Sequence, residues 1–223
     1  MTAPTMVLDP PSQARLLAGG GTDLVEHRRR HPRPLVPRPT PRTDLIELVE
    51  RSGLTGRGGA GFPTGGKLRS VAAGRGPRVV VVNGAEGEPA SAKDRVLLAQ
   101  APHLVIDGAL VAAAAVGAAR IVICIDRAHT QALRAVRHAL SERAAELVGV
   151  EARLAASPSR YVSGESSALV QWIEGGPGVP RGGCRAPARS RRQADAGPER
   201  GDRRSSCANR HLWTGLVPLV RDH

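Results

Sequence analysis

A glycine-rich stretch followed by a lysine is the first feature of this chain that could do chemistry. Residues 53–66 contain seven glycines, and Lys67 comes directly after them. Glycine lets a backbone take positive φ or approach a bound group closely. Two generic phosphate motifs match only in part: the G-x-G-x-x-G pattern follows a predicted helix instead of a strand, and G-x-x-x-x-G-K is followed by Leu68 where a hydroxyl should hold magnesium. A plain surface turn therefore stays open as the alternative.

A second polar group follows a run of four valines. Val79–Val82 predicts a strand buried on both faces, and Asn83, Glu86 and Glu88 come directly after it. Open parallel sheets place ligands at the carboxyl ends of their strands. Taken alone, the two glutamates would be read as solvated acids on a turn.

Three ordered signatures resemble the NADH- and FMN-binding subunit (the 51 kDa type) of respiratory NADH:quinone oxidoreductase. The same subunit type occurs in NAD-linked hydrogenases and formate dehydrogenases. The signatures span about residues 43–180 of this chain and read SGLTGRGGAGFPTG at 52–65, NGAEGEP at 83–89 with KDR at 93–95, and YVSGESSAL at 161–169.

The resemblance implies a set of ligand-binding residues. FMN is the implied cofactor, NADH the implied substrate, and the full-length family adds a 4Fe–4S cluster and partner redox subunits. No side chain is predicted to be catalytic, because the flavin itself carries the chemistry of hydride transfer from NADH. The implied flavin-binding residues are Arg57, Gly58, Gly59, Gly61, Gly65, Lys67, Asn83, Glu86, Gly87, Glu88, Tyr161, Gly164 and Glu165, and those implied for NADH are Phe62, Lys67 and Glu88.

The chain departs from the family pattern at several positions. Ala85 replaces an aspartate of the second signature, Ser166 replaces a glutamate that helps to bind NADH, and Leu68 and Ser70 replace aromatic residues that stack on the nucleotide. The sequence therefore supports flavin binding better than it supports NADH oxidation, and a non-functional product that keeps part of the flavin fold is an alternative.

The elements that must position these residues alternate between strand and helix. The patterns predict strands at Val79–Val82, Ile121–Ile125 and Val150–Leu154, and helices at 43–53, 102–118, 130–147 and 165–173. This order is typical of an α/β fold with a parallel sheet and flanking helices. We therefore predict an incomplete, Rossmann-like flavin-binding domain over residues 43–180.

Both ends of the chain differ from this domain in composition. Seven prolines between positions 10 and 41 predict an extended arm over residues 1–42. Residues 181–223 contain ten arginines against four acids and little apolar patterning, which predicts a disordered tail. The codons for 194–202, read one base later, permit Pro-Thr-Leu-Val-Gln-Asn-Val-Glu-Thr, which resembles the family's next signature. We hypothesise a frameshift near residues 177–186, which sequencing of the gene would test.

The amino-acid composition narrows the remaining classes of protein that this chain could belong to. The net charge is +12, and all but two of the 32 basic residues are arginine, which raises a nucleic-acid binder as an alternative. That alternative explains the charge but not the three signatures, and four aromatic residues leave little for base stacking, so no DNA or RNA partner is expected.

Three cysteines without Cys-x-x-Cys spacing predict no metal site. No secretory pattern or long apolar run is present, which predicts a cytoplasmic protein without direct membrane insertion.

Overall fold

The computed structural model describes residues 17, 21–31, 42–56, 61–86, 91–159, 165–178 and 212–214. In chain order the described elements are α1 (Leu24–Arg30), α2 (Arg42–Arg51), α3 (Thr64–Ala73), β1 (Val79–Gly84), α4 (Lys93–Gln100), α5 (Pro102–Val116), β2 (Arg120–Asp126), α6 (Thr130–Glu142), β3 (Glu151–Ser157), α7 (Ser166–Ile173) and β4 (Leu212–Thr214).

The strands form one parallel sheet in the order β3-β2-β1-β4. β1 pairs with β2 along its whole length, with Val79 opposite Arg120, and β2 pairs in the same way with β3, with Ile123 opposite Leu154. Helices α4 and α5 connect β1 to β2, and α6 connects β2 to β3. Parallel strands joined through helices define an α/β domain, so the predicted fold class is confirmed.

Different helices cover the two faces of the sheet. On one face, Val80 and Ile123 belong to a large apolar cluster that includes residues of α2 to α6. On the other face, Val81 and Cys124 pack with Leu169 of α7. Because successive side chains of a strand point to opposite faces, a strand covered on both faces must be apolar at nearly every position, which explains the valine run of β1.

Helix α5 is the central helix of the larger layer. All but two of its fifteen residues are buried, as expected of a helix that is apolar on every side. Pro102 stands in its first turn, where a backbone N–H has no acceptor within the helix. The missing N–H of proline therefore costs no hydrogen bond there. The helix ends at Gly117, whose φ of +68° is a left-handed conformation suited to glycine.

Among the described residues, the structure contains three helices that the sequence patterns did not predict, namely α1, α3 and α4. α3 begins within the glycine-rich stretch, where Gly65 and Gly66 lower the helix propensity, and α4 is only eight residues long. Both lie in the layer that packs on the sheet, with Leu68 of α3 and Leu98 of α4 in the larger cluster. Tertiary burial therefore stabilises helices that local propensity does not favour.

The segment predicted as an extended arm differs from that expectation at residues 24–30. Helix α1 forms there, and Asp23 caps it by accepting a hydrogen bond from the Glu26 amide at 2.9 Å. The helix fits because no proline lies between positions 11 and 32. His27 of α1 is buried, so this helix is attached to the body of the domain. Most other residues of the arm lie outside the described residues.

The segment predicted as a disordered tail also differs at three residues. Leu212–Thr214 form β4, which pairs in parallel with the first half of β1, Val79 lying opposite Leu212. A sheet edge offers unpaired amide and carbonyl groups to any extended segment, which accounts for this pairing. The rest of residues 181–223 lies outside the described residues.

Within the described residues no single helix is long and apolar enough to cross a membrane. The pair α4 and α5 meets that criterion together by length and composition alone, and the two helices are bent by 100° at the break between them.

Gly65 sits where helices α2 and α3 approach most closely, and this contact yields a test of the packing. A Cβ built on Gly65 would lie 2.8 Å from the Glu50 nitrogen and 2.9 Å from its Cα. Because this neighbour is helix backbone and cannot give way, we expect Gly65→Ala to lower the free energy of unfolding by about 1–3 kcal/mol, measured by urea denaturation.

The matched control is the next residue. A Cβ on Gly66 would have no atom of the described residues within 4 Å, so Gly66→Ala should leave stability unchanged or raise it by up to about 1 kcal/mol. Equal stability of the two variants would contradict the packing role of Gly65.

Candidate functional site

The glycine-rich loop is closed at its base by backbone hydrogen bonds. The Gly56 amide donates to the Phe62 carbonyl at 2.9 Å, and the Thr64 amide donates to the Leu54 carbonyl at the same distance. Gly61 has a φ of +53°, a conformation that favours glycine. Residues 57–60 lie outside the described residues, and with them the predicted positions Arg57, Gly58 and Gly59.

The loop leads directly into the N-terminus of α3. The preceding residue, Pro63, makes no side-chain capping bond, and the amides of Gly65 and Gly66 stand in the first turn, where a helix supplies no carbonyl acceptor. Such a terminus attracts anions, because its amides and the helix dipole both favour negative charge. The site is therefore suited to a phosphate.

Three predicted residues in this region differ in their burial. Gly65 is buried, and its missing side chain makes room for the backbone of Glu50, so its first role is helix packing. Lys67 is half-buried, and burial lowers the pKa of its amine below the usual value. Phe62 holds its ring outward and is 60% exposed.

The carboxyl end of β1 holds the second group of predicted residues. The Asn83 side-chain oxygen accepts a hydrogen bond from the Ala85 amide at 3.2 Å. Gly84 was not predicted as important, yet a Cβ there would lie 2.9 Å from the Cys124 carbonyl oxygen. Its position inside the second signature is the only sequence signal for this requirement.

Glu86 turns away from solvent and caps helix α4. Its carboxylate accepts hydrogen bonds from the Ser91 hydroxyl and from the amides of Asp94 at 3.3 Å and Arg95 at 3.5 Å, and its side chain is 3% exposed. Burial alone would raise the pKa of Glu86, but these bonds and the charge of Lys93 together hold the pKa below its ordinary value. The predicted Gly87 and Glu88 lie outside the described residues.

Glu165 performs the same task for helix α7. Its carboxylate accepts hydrogen bonds from the amides of Ser167 at 2.9 Å and Ala168 at 3.1 Å. The hydrogen bond from the Ser167 hydroxyl is the largest cause of a lowered pKa for Glu165. The predicted Tyr161 and Gly164 lie outside the described residues.

The predicted residues therefore fall into three groups around β1. The first lies on the loop before α3, in the larger helical layer. The second lies at the end of β1 itself, and the third begins α7 on the opposite face of the sheet. A ligand that touched all three groups would lie over the carboxyl edge of the sheet, where α/β folds place their ligands.

An open cavity at the ends of β2 and β3 was not predicted. Its lining residues are Arg127, Pro158, Ser159, Trp172 and Pro177. Beside it, Asp126 accepts hydrogen bonds from the Ser159 hydroxyl and from the Ala128 amide at 2.8 Å. The sequence signal that could have indicated this cavity is the presence of polar residues directly after each predicted strand.

A parallel sheet with polar side chains at the carboxyl end of β1 is typical of α/β domains that bind a ligand at that edge. Comparison with known proteins makes this class more specific. The family model of the Nuo51 FMN-binding domain matches residues 49–191. The chain therefore belongs to the Nuo51 FMN-binding domain family.

Individual relatives agree with this assignment. An NADH-quinone oxidoreductase subunit of Aquifex aeolicus is 34% identical over 148 residues, covering 62% of this chain and 35% of the relative. The mitochondrial 51 kDa subunit of NADH-ubiquinone oxidoreductase of Neurospora crassa is 37% identical over 152 residues, covering 61% and 31%. The crystal structure of an NAD+-reducing [NiFe]-hydrogenase in the H2-reduced state superposes with a TM-score of 0.59 at 35% identity, covering 63% of this chain and 25% of that one. The chain thus spans about a third of the length of the curated relatives it matches.

The capping role of Glu86 predicts a pH-dependent stability difference. Because the pKa of Glu86 is lowered on folding from its ordinary value of 4.5, its contribution is present above pH 4.5 and is lost as the pH falls below that value. We expect Glu86→Gln to cost about 0.5–2 kcal/mol at pH 7, and the difference from wild type to shrink below pH 4.5, as measured by urea denaturation.

A glutamate on the exposed face of α2 serves as the control. Glu47 is exposed, and Glu47→Gln should show no comparable difference from wild type at either pH. A Glu86→Gln penalty that is equal above and below pH 4.5 would contradict the role of the charged carboxylate.

Proposed function

We propose that this chain binds FMN over the carboxyl edge of its sheet, with the phosphate at the N-terminus of α3. Membership of the Nuo51 FMN-binding domain family supports the cofactor. The observation that carries the position is the first turn of α3, which begins without a side-chain cap and contains two glycines.

The residues present fit a phosphate at this terminus. Gly66 is exposed and has open space where a Cβ would stand, so an anion could approach its amide directly. The ammonium group of Lys67 would neutralise part of the phosphate charge. The lowered pKa of Lys67 comes from burial, and an anion beside the amine would oppose that cost by favouring its charged form.

The remaining contacts are assigned from the predicted residues. Arg57, Gly58, Gly59 and Gly61 would supply loop contacts, Asn83 and Glu88 would border the cofactor at the end of β1, and Tyr161 and Gly164 would close the site. Glu86 and Glu165 would act through the helices they cap, because the carboxylate of each already accepts hydrogen bonds from backbone amides. These two glutamates would hold the ends of α4 and α7 at the border of the site.

For the whole protein we propose the oxidation of NADH. Bound flavin would accept a hydride from NADH and pass electrons singly to an iron–sulfur cluster carried by a further domain and then to partner redox subunits. In this chain Phe62, Lys67 and Glu88 would contact the nucleotide. The outward ring of Phe62 suits it to meet a second aromatic ring arriving from solvent.

The two lysines of the chain allow a matched test of the phosphate site. We expect Lys67→Ala to weaken FMN binding by about 10- to 100-fold, the usual value of a charge-assisted hydrogen bond, while riboflavin, which lacks the phosphate, binds wild type and variant alike. Fluorescence titration of each flavin against the full chain measures both affinities.

Lys93→Ala is the control, because Lys93 is exposed and lies on α4. It should leave FMN affinity within about threefold of wild type, as is usual for an exposed ion-pair residue. If Lys67→Ala lowers FMN and riboflavin affinity equally, the phosphate does not lie at α3.

A second measurement separates flavin binding from NADH oxidation. We expect the full chain, mixed with FMN and then freed of unbound flavin by gel filtration, to retain a flavin absorption band that bleaches on anaerobic addition of NADH. Binding without bleaching would overturn NADH oxidation by this chain but leave the flavin site standing. A chain that binds no flavin would overturn both proposals.

A further inference from the structure

A buried cluster of charged and polar groups attaches helix α1 to the domain and uses none of the predicted flavin-binding residues. We call it the α1 clasp. Its members come from α1 and the residues flanking it, from α5, and from α6 with the turn after it, namely Thr22, His27, Arg28, His31, His103, Asp107, Glu142, Arg143 and Glu146.

Asp107 is the centre of the clasp. It is 5% exposed, and its carboxylate lies 2.7 Å from the His27 ring nitrogen Nε2 and in contact with the Arg143 guanidinium. Arg28 approaches the same carboxylate at 3.5 Å. Burial would raise the pKa of Asp107, but the bond from His27 and the charge of Arg143 hold the pKa below its usual value. The carboxylate is therefore charged throughout the neutral and mildly acidic range.

A second anchor connects the clasp to the turn after α6. Glu146 accepts a hydrogen bond from Arg28 at 2.7 Å and one from Arg143 at 3.0 Å. Arg143 is 1% exposed and also donates to the His103 carbonyl at 3.0 Å. Arg28 and Arg143 therefore offset the charges of Asp107 and Glu146 in this part of the clasp.

His103 is held in its neutral form, with one proton on its ring. Its ring is fully buried, and its Nε2 lies 2.9 Å from the Thr22 carbonyl. Because a carbonyl only accepts, Nε2 carries the proton and Nδ1 is the basic nitrogen. Nδ1 is buried and has no hydrogen-bond partner among the described residues, so protonation would create an unsatisfied buried donor.

The groups around His103 include both signs of charge. Glu142 lies 3.2 Å from Nε2 and also 3.6 Å from the exposed His138, and the His27 ring centroid lies 5.4 Å from that of His103. Burial is the main cause of a lowered pKa for His103; the charges of His27 and Arg143 lower it further, and the Thr22 bond and Glu142 only partly offset this.

His31 lies at the end of α1, and its pKa is shifted in the same direction as the pKa of His103. Its ring centroid is 5.1 Å from that of His27. Burial and then the charge of His27 lower the pKa of His31, and Asp107 opposes them. Both histidines are therefore more basic when α1 leaves the domain than when it is docked.

We propose that the α1 clasp is a pH-sensitive latch, in which neutral His103 and His31 keep α1 docked on α5 and their protonation releases it. The sign follows from linkage: groups that bind protons more weakly when docked make docking weaken as the pH falls below their ordinary value of 6.5. Release would expose the part of α5 that carries Asp107.

Hydrogen exchange of the full chain tests the latch. Exchange is followed by mass spectrometry at pH 7.5, 6.5 and 5.5, corrected for the intrinsic rate, with a β2 peptide as internal reference. We expect protection of residues 21–31 to fall between pH 6.5 and 5.5 by up to about tenfold per pH unit for each histidine that takes up a proton, while β2 keeps its protection. Unchanged protection of 21–31, or parallel loss in β2, would overturn the proposal.

Variants separate titration from simple loss of packing. His103→Gln can still donate to the Thr22 carbonyl but cannot titrate, so it should reduce the pH dependence at residues 21–31; His31→Gln should do the same from the more accessible end. His138→Gln, the same change at an exposed histidine, should behave like wild type. Asp107→Asn should leave 21–31 weakly protected at every pH. Wild-type pH dependence in both His103→Gln and His31→Gln would overturn the latch.

Discussion

Burial of β1 and β2 on both faces is the constraint on which the rest of this structure depends. Val80, Val81 and Ile123 are almost completely removed from water, and this requires a helical layer on each side of the sheet. Their backbone polar groups can then be satisfied only by neighbouring strands. The polar residues of β1 are forced to its carboxyl end, so the burial that stabilises the domain also creates its ligand-binding edge.

Close contact between neighbouring elements at glycine positions is the second physical constraint on this structure. Gly65 brings α3 against α2, and Gly84 brings β1 against β2 and α4. Both glycines lie inside signatures that resemble ligand-binding motifs, yet each is required by packing before any ligand is considered. A glycine-rich signature can therefore meet two demands, close contact with a bound group and close contact between elements. The open position at Gly66 is better suited to the first demand.

Carboxylates in this domain act largely on helix termini. Asp23, Glu86 and Glu165 each accept hydrogen bonds from first-turn amides, of α1, α4 and α7 respectively. Negative charge at a helix N-terminus is favourable, and Pro63, the residue before α3, makes no side-chain capping bond. That difference supports the proposal that the FMN phosphate binds at α3, with the capped helices at the border of the site.

The amino-acid sequence by itself determined the fold class, the three main strands and the family. Continuous apolar runs in the strands and 3.6-residue periodicity in the helices follow directly from burial, and the signatures are contiguous in the chain. Only the tertiary structure decided that α3 and α4 are helical, that Glu86 and Glu165 face helix amides, and that α1 docks through Asp107. These outcomes depend on contacts between residues far apart in sequence, such as His27 with Asp107. Local pattern carries no information about which distant group will satisfy a buried charge, and three-dimensional packing settles it.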